Sequence, residues 1–117
     1  MPQKESVSTA KAPPPLPFFS QAVKCQGMVY CSGSIGMDVA TKKLVEGGIA
    51  DRTRQSLLNL QAILEAAGSS IDNSGLAFAV HELPLGTDVE IECTAHLGEV
   101  SLSSSLPSRA NLMTKDL

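Results

Sequence analysis

The junction between one amphipathic helix and two closing strands constrains this chain more than any other feature. A helical pattern ends in Ala66-Ala67-Gly68-Ser69-Ser70-Ile71-Asp72-Asn73. Ser74-Gly75 then lead, with almost no connection, into two extended segments, Ala77–Glu82 and Thr87–Leu97. Everything before the junction reads as the first half of a small α+β domain. Everything after it reads as the end of one. The connection leaves no room for a further helix, so any sheet formed here has a single helix to cover it.

The helix is expected over Asp51–Ala67. Thr53, Leu57, Leu60, Leu64 and Ala67 recur at helical spacing and mark one continuous face. Arg52, Gln55, Asn59 and Glu65 are expected to point elsewhere. Asp51 is placed to cap the N-terminus, and Gly68 to supply a left-handed stop. Upstream, Phe18–Lys24 reads as extended. Gln26-Gly27 reads as a tight turn into Met28-Val29-Tyr30-Cys31-Ser32-Gly33, which together suggest a hairpin. In the last segment Val89, Ile91, Cys93, Ala95 and Leu97 alternate with Asp88, Glu90, Glu92, Thr94 and His96. That period of two describes a strand with an apolar face toward the helix and a polar face carrying three carboxylates, neighbours roughly 6.5–7 Å apart. Leu83-Pro84-Leu85-Gly86 reads as the turn that feeds it.

A chain of 117 residues is one domain at most. The net charge of −3, with no basic stripe, argues against nucleic acid or an anionic membrane as partner. No apolar run approaches the length of a membrane span. Residues 1–17 are polar and then proline-rich, without the apolar core of a secretory signal or the arginines of a transit peptide. They read as a flexible arm that becomes ordered near Leu16. Cys25, Cys31 and Cys93 are odd in number and lack metal-site spacing, so they read as reduced thiols of a cytosolic protein. Cys93 and His96 are three apart on a strand and belong on opposite faces. The serine-rich stretch Gly98–Leu117 has no period and reads as a mobile tail.

Few residues carry chemistry. Glu90 and Glu92 lie on the polar strand face, which reads equally as a solvated surface. Ser32 and Gly33 offer a hydroxyl and an approachable amide at a strand end, and read equally as a bulge. His81 and His96 have no partner at useful spacing. A phosphate-binding glycine loop, a nucleophile elbow and a metal-ligand cluster are all missing from the sequence.

Several segments together resemble one family. Phe19-Ser20-Gln21-Ala22-Val23 is similar to the opening strand of the RidA (YjgF-like) imine deaminases, and Val29-Tyr30-Cys31-Ser32-Gly33-Ser34-Ile35 to their "V-Y-x-S-G-Q-I" strand. Leu44–Ile49 followed by Arg52–Gly68 resembles their first helix. Val80-His81-Glu82-Leu83-Pro84 and Val89-Glu90-Ile91-Glu92 resemble their closing hairpin. Fungal members are the most similar. The resemblance implies a chorismate-mutase-like fold, a mixed sheet backed by helices. It also implies a homotrimer with clefts between subunits, and hydrolysis of reactive 2-imino and enamine acids such as 2-iminobutanoate to 2-oxo acids and ammonia, without a cofactor. Such an activity removes reactive intermediates, in the cytoplasm or the mitochondrion.

Carried over by position, Gly33 matches the glycine whose amide contacts substrate, and Glu90 the glutamate that positions the hydrolytic water. Phe19 stands where the family has an active-site tyrosine, Ser32 is the serine before the glycine, Ser34 replaces a glutamine and Gly36 a proline. The family also places a strand, a second helix and an "A-R-x-C" segment between Asn73 and the closing hairpin. Here they are missing, and no arginine lies between Arg54 and Arg109. That arginine grips the substrate carboxylate in a bidentate fork. The resemblance therefore implies either a deaminase retaining Glu90 and Gly33, or a shortened form without catalysis that acts at most as an interaction or holdase-like protein. The remaining strands must close up around one helix to fold at all.

Overall fold

Strands β2 (Ala22–Cys25) and β3 (Met28–Ser34) form the expected hairpin in the computed structural model, which describes residues 3–79 and 84–98. Gln26 and Gly27 both adopt positive φ, +52° and +78°. This is the turn whose twist matches that of the flanking strands, and it fixes the pairing Cys25 to Met28. Strand β1 (Glu5–Val7) adds antiparallel to β2. These residues were expected in a flexible arm. They are ordered because Val7 and Ala12 bury their side chains and Glu5 pairs with Lys24 at 3.6 Å.

Helix α1 (Ile49–Ala66) packs on β3 and on the last strand. Leu57, Leu60, Leu64 and Ala67 are buried as their spacing predicts. The buried stripe is wider than expected, because Ser56, Asn59 and Ile63 join it. Asn59, expected to face away, donates from Nδ2 to the carbonyls of Ile35 (3.3 Å) and Met37 (3.0 Å), satisfying backbone that the helix would otherwise seal from water. Ser34 and Ser56 exchange hydroxyl-to-carbonyl bonds of 3.0 and 2.8 Å, stitching the end of β3 to the helix. Gly36 lies so close that a Cβ there would meet the Arg52 Cα at 2.6 Å, which explains a glycine where the helix crosses.

The cap of α1 differs from expectation. Gly48 occupies the cap position, and Asp51, one turn in, reaches back to accept its N–H at 2.9 Å. The other end is as predicted. Gly68 has φ +86°, its N–H donates to Glu65 O, and the Ser69 N–H reaches Leu64 O, the two bonds of a Schellman stop.

At the junction a single 3₁₀ turn, Ile71–Asn73, buries Ile71, and β4 (Ser74–Ala79) starts at the next residue. Strand β5 (Glu90–His96) alternates buried and exposed as the sequence predicts. The sheet order is β1-β2-β3-β5-β4, antiparallel at every neighbouring pair. The α+β class stands. The sheet is antiparallel rather than mixed among the described strands, because β5 inserts between β3 and β4, which run the same way. Closure around one helix is thus achieved by pairing β4 with β5 along Ser74 to Ala79. Val80–Leu83 of the expected hairpin, His81 included, and the tail beyond Gly98 lie outside the described residues.

A candidate active-site cleft

The site begins with an irregularity in the β3–β5 ladder. Cys31 opposes Cys93 and Ser34 opposes Ile91, so Ser32 and Gly33 together face the single residue Glu92. This is a β-bulge, a device that re-aims backbone at a functional edge. It brings Gly33 flush against Glu90. A Cβ on Gly33 would lie 2.0 Å from the Glu90 Oε1 and 2.7 Å from its carboxyl carbon. Only a residue without a side chain leaves the carboxylate in place. The Ser32 hydroxyl donates to Ser20 O at 2.6 Å and its N–H to Gln21 O at 3.0 Å, anchoring the bulge to the residues just before β2.

Glu90, Gly33, Ser32 and Phe19 all line one cleft of about 870 Å³, within the range of small-molecule sites. All four residues expected at the site are therefore gathered. Glu92, its carboxylate neighbour, is exposed on the same strand and does not line the cleft. The cleft is walled largely by apolar groups: the proline run Pro13–Pro15, Leu16, Phe19, Ile35, Met37 and Leu85. Leu16, Phe19 and Leu85 remain 64–67% exposed, so this wall is open on one side.

The proline segment is held there by Gln21. Its buried amide donates from Nε2 to Thr9 O (3.0 Å), Ala12 O (3.3 Å) and Pro13 O (2.9 Å), and its Oε1 accepts the Thr9 N–H at 2.7 Å. Sequence reasoning missed this role, and it missed Lys42, Met37 and Leu85 at the cleft. The signals were faint: a proline run followed by a glutamine, and one lysine in a polar loop.

Charges near the site are mostly committed. Arg52 forks onto Asp88, Nε to Oδ1 at 2.7 Å and Nη2 to Oδ2 at 2.5 Å, with Nη1 on Gly47 O at 2.8 Å. The hydrogen bonds from Arg52 hold the Asp88 carboxyl below its usual range, and those to Asp88 raise the guanidinium. Asp88, read from the alternation as one of three surface carboxylates, is thus tied to the helix. Arg54 lies 3.6 Å from Asp51. The three thiols are free. The Cys31 thiol hydrogen-bonds to Cys93, pulling Cys93 down to about 7 against its burial and pushing Cys31 up. Cys93 is buried and His96 exposed, on opposite faces as expected. Among the described residues no His, Cys, Asp or Glu cluster could hold a metal ion, and no helix is long and apolar enough to cross a membrane.

Chemically, the arrangement offers one carboxylate at the mouth of an apolar cleft, beside an accessible stretch of backbone. Such a carboxylate can orient and deprotonate water against a bound electrophile. The family profile described as "Endoribonuclease L-PSP" matches residues 9–74, ending where β4 begins. The human "2-iminobutanoate/2-iminopropanoate deaminase" is 33% identical over 128 aligned positions, covering 84% of this chain and 93% of the relative. Eighty-four per cent of 117 residues is about 98, so about 30 of those positions have no counterpart here. The rat protein of the same name is 44% identical over 70 residues, 60% of this chain and 51% of its own. Among solved structures, one from Thermotoga maritima superposes with a TM-score of 0.77 at 29% identity, covering 83% of this chain and 100% of its own. Yeast Mmf1 gives 0.75 at 28%, covering 82% and 100%.

Proposed function

Since this chain belongs to the Endoribonuclease L-PSP family, the RidA (YjgF-like) proteins, we propose that it hydrolyses short 2-imino acids to 2-oxo acids and ammonia. The observation that carries this reading is the contact of Glu90 with the bare backbone of Gly33 inside an apolar cleft. The relatives named for deamination of 2-iminobutanoate and 2-iminopropanoate support it.

Glu90 accepts a proton from water as the water oxygen bonds to the imine carbon, and the C=N π pair takes that same proton back from Glu90 at nitrogen. The resulting carbinolamine passes its hydroxyl proton to the amine through the same carboxylate. The C–N bond then breaks, leaving a C=O group and releasing ammonia. The sum is imine plus water giving 2-oxo acid plus ammonia, with no redox change. Gly33 leaves room for the Glu90 carboxylate, Phe19 supplies a ring wall without a hydroxyl, and Ser32 holds the bulge. A ribonuclease reading has less support. A cleft lined by one lysine, in a chain of net charge −3, offers a poor track for phosphates.

Exposed Leu16, Phe19 and Leu85 around the open wall favour completion of the cleft by further subunits, as in the trimer the family resemblance implies. A second reading, a shortened form without catalysis, is favoured by the 30 or so unmatched positions and by the engagement of Arg52 elsewhere. One experiment separates the two. The purified chain is given 2-iminobutanoate generated in place by an amino-acid oxidase, and ammonia release is followed. Release faster than in buffer is expected, and release equal to buffer would leave the non-catalytic form.

A further inference from the structure

We propose that Lys42 is the anion anchor of the cleft, the residue that holds the carboxylate of a bound 2-imino or 2-oxo acid. The ligand class rests on the deaminase reading.

Of the residues lining the cleft, Lys42 carries the one cationic side chain and Glu90 the one carboxylate. An acid anion entering beside Glu90 meets like charge. Binding such an anion needs an opposite charge within the same walls. The arginines of the described residues are engaged elsewhere, Arg52 by Asp88 and Gly47, and Arg54 by Asp51. Lys42 is exposed, and the ion pairs of the described residues leave it out.

Its position is also built. The Asp38 carboxylate accepts the N–H groups of Ala40 (2.9 Å) and Thr41 (2.8 Å). The Lys42 N–H donates to Asp38 O at 2.9 Å, and the Asp38 N–H to Lys43 O at 2.8 Å. Met37, itself on the cleft, pairs with Leu44 and closes the loop at its base. Lys42 sits at the tip with φ +60°, a left-handed conformation that glycine adopts freely and lysine does not. A lysine ammonium acts as a point charge and engages one carboxylate oxygen at a time, so the anchor is weaker and less oriented than a guanidinium fork.

The test is equilibrium binding of 2-oxobutanoate, the product anion, to the intact chain, with neutral 2-oxobutanamide as its control. Lys42→Gly removes the amine and relieves the backbone, so the variant keeps its fold. It is expected to raise the Kd for 2-oxobutanoate about tenfold and to leave the amide within twofold. Lys42→Arg is expected to retain anion binding, and added salt to weaken the unmodified chain but not Lys42→Gly. An unchanged Kd in Lys42→Gly, or an unmodified chain that binds the anion no better than the amide, overturns the proposal. Lys42-dependent anion binding without ammonia release would uphold the anchor and remove the deaminase reading.

Discussion

A methyl group on residue 33 would take the space that the Glu90 carboxylate fills, so the two positions act as one unit. Half of that unit was legible. Alternation along β5 puts Glu90 on the polar face, and the resemblance to the deaminases picks it from its neighbours. The other half was ambiguous, since Ser32-Gly33 reads as well for a bend as for a site, and the bulge proves to be both. Alternation misplaced Asp88. It lies just before the strand begins, where the period of two no longer binds it, and it turns to Arg52. The pair has a pH signature. Asp88 is more acidic folded than unfolded, so its contribution is present above its ordinary value of 3.8 and is lost as pH falls through the lower folded value. The melting-temperature gap between the unmodified chain and Asp88→Asn should be constant from neutral pH down to about 4 and close below it. A gap that closed between pH 7 and 5 would contradict this.

Helix α1 and strand β5 were legible because each carries its own period over many residues. Their edges were less so. Asn59 lies off the stripe marked by Leu57, Leu60 and Leu64, but it is needed inward, where the carbonyls of Ile35 and Met37 require a donor. The N-terminal arm was misread for a different reason. The order of its proline segment comes from a glutamine 8 to 12 residues away that bonds to backbone carbonyls, and backbone leaves no trace in the side-chain pattern. Gln21→Ala removes these bonds and strands buried carbonyls. It should cost about 1–3 kcal/mol and release the segment 9–17. Limited proteolysis should then cut within that segment well before the unmodified chain is cut there. Equal cleavage rates would mean that the proline wall holds itself.

The junction at Asn73–Ser74 sets the form of the whole molecule. The family profile stops at Ser74, and relatives carry about 30 positions that this chain lacks. β4 follows the helix after one 3₁₀ turn and pairs directly with β5, so the sheet closes without a gap. That closure puts β5, and with it Glu90, next to the bulge of β3. The resemblance to the deaminases implies a strand and a helix that this chain lacks. It could not show how the remainder would pair, because register between distant strands is set by the packed sheet as a whole. We propose that this shortened sheet still presents a working Glu90. The most direct measurement compares ammonia release from 2-iminobutanoate by the unmodified chain and by Glu90→Gln, each folded by circular dichroism. Release above buffer is expected from the unmodified chain, and a fall of about 10²–10⁴-fold, or to the buffer rate, in Glu90→Gln. Equal rates for the two proteins would contradict it.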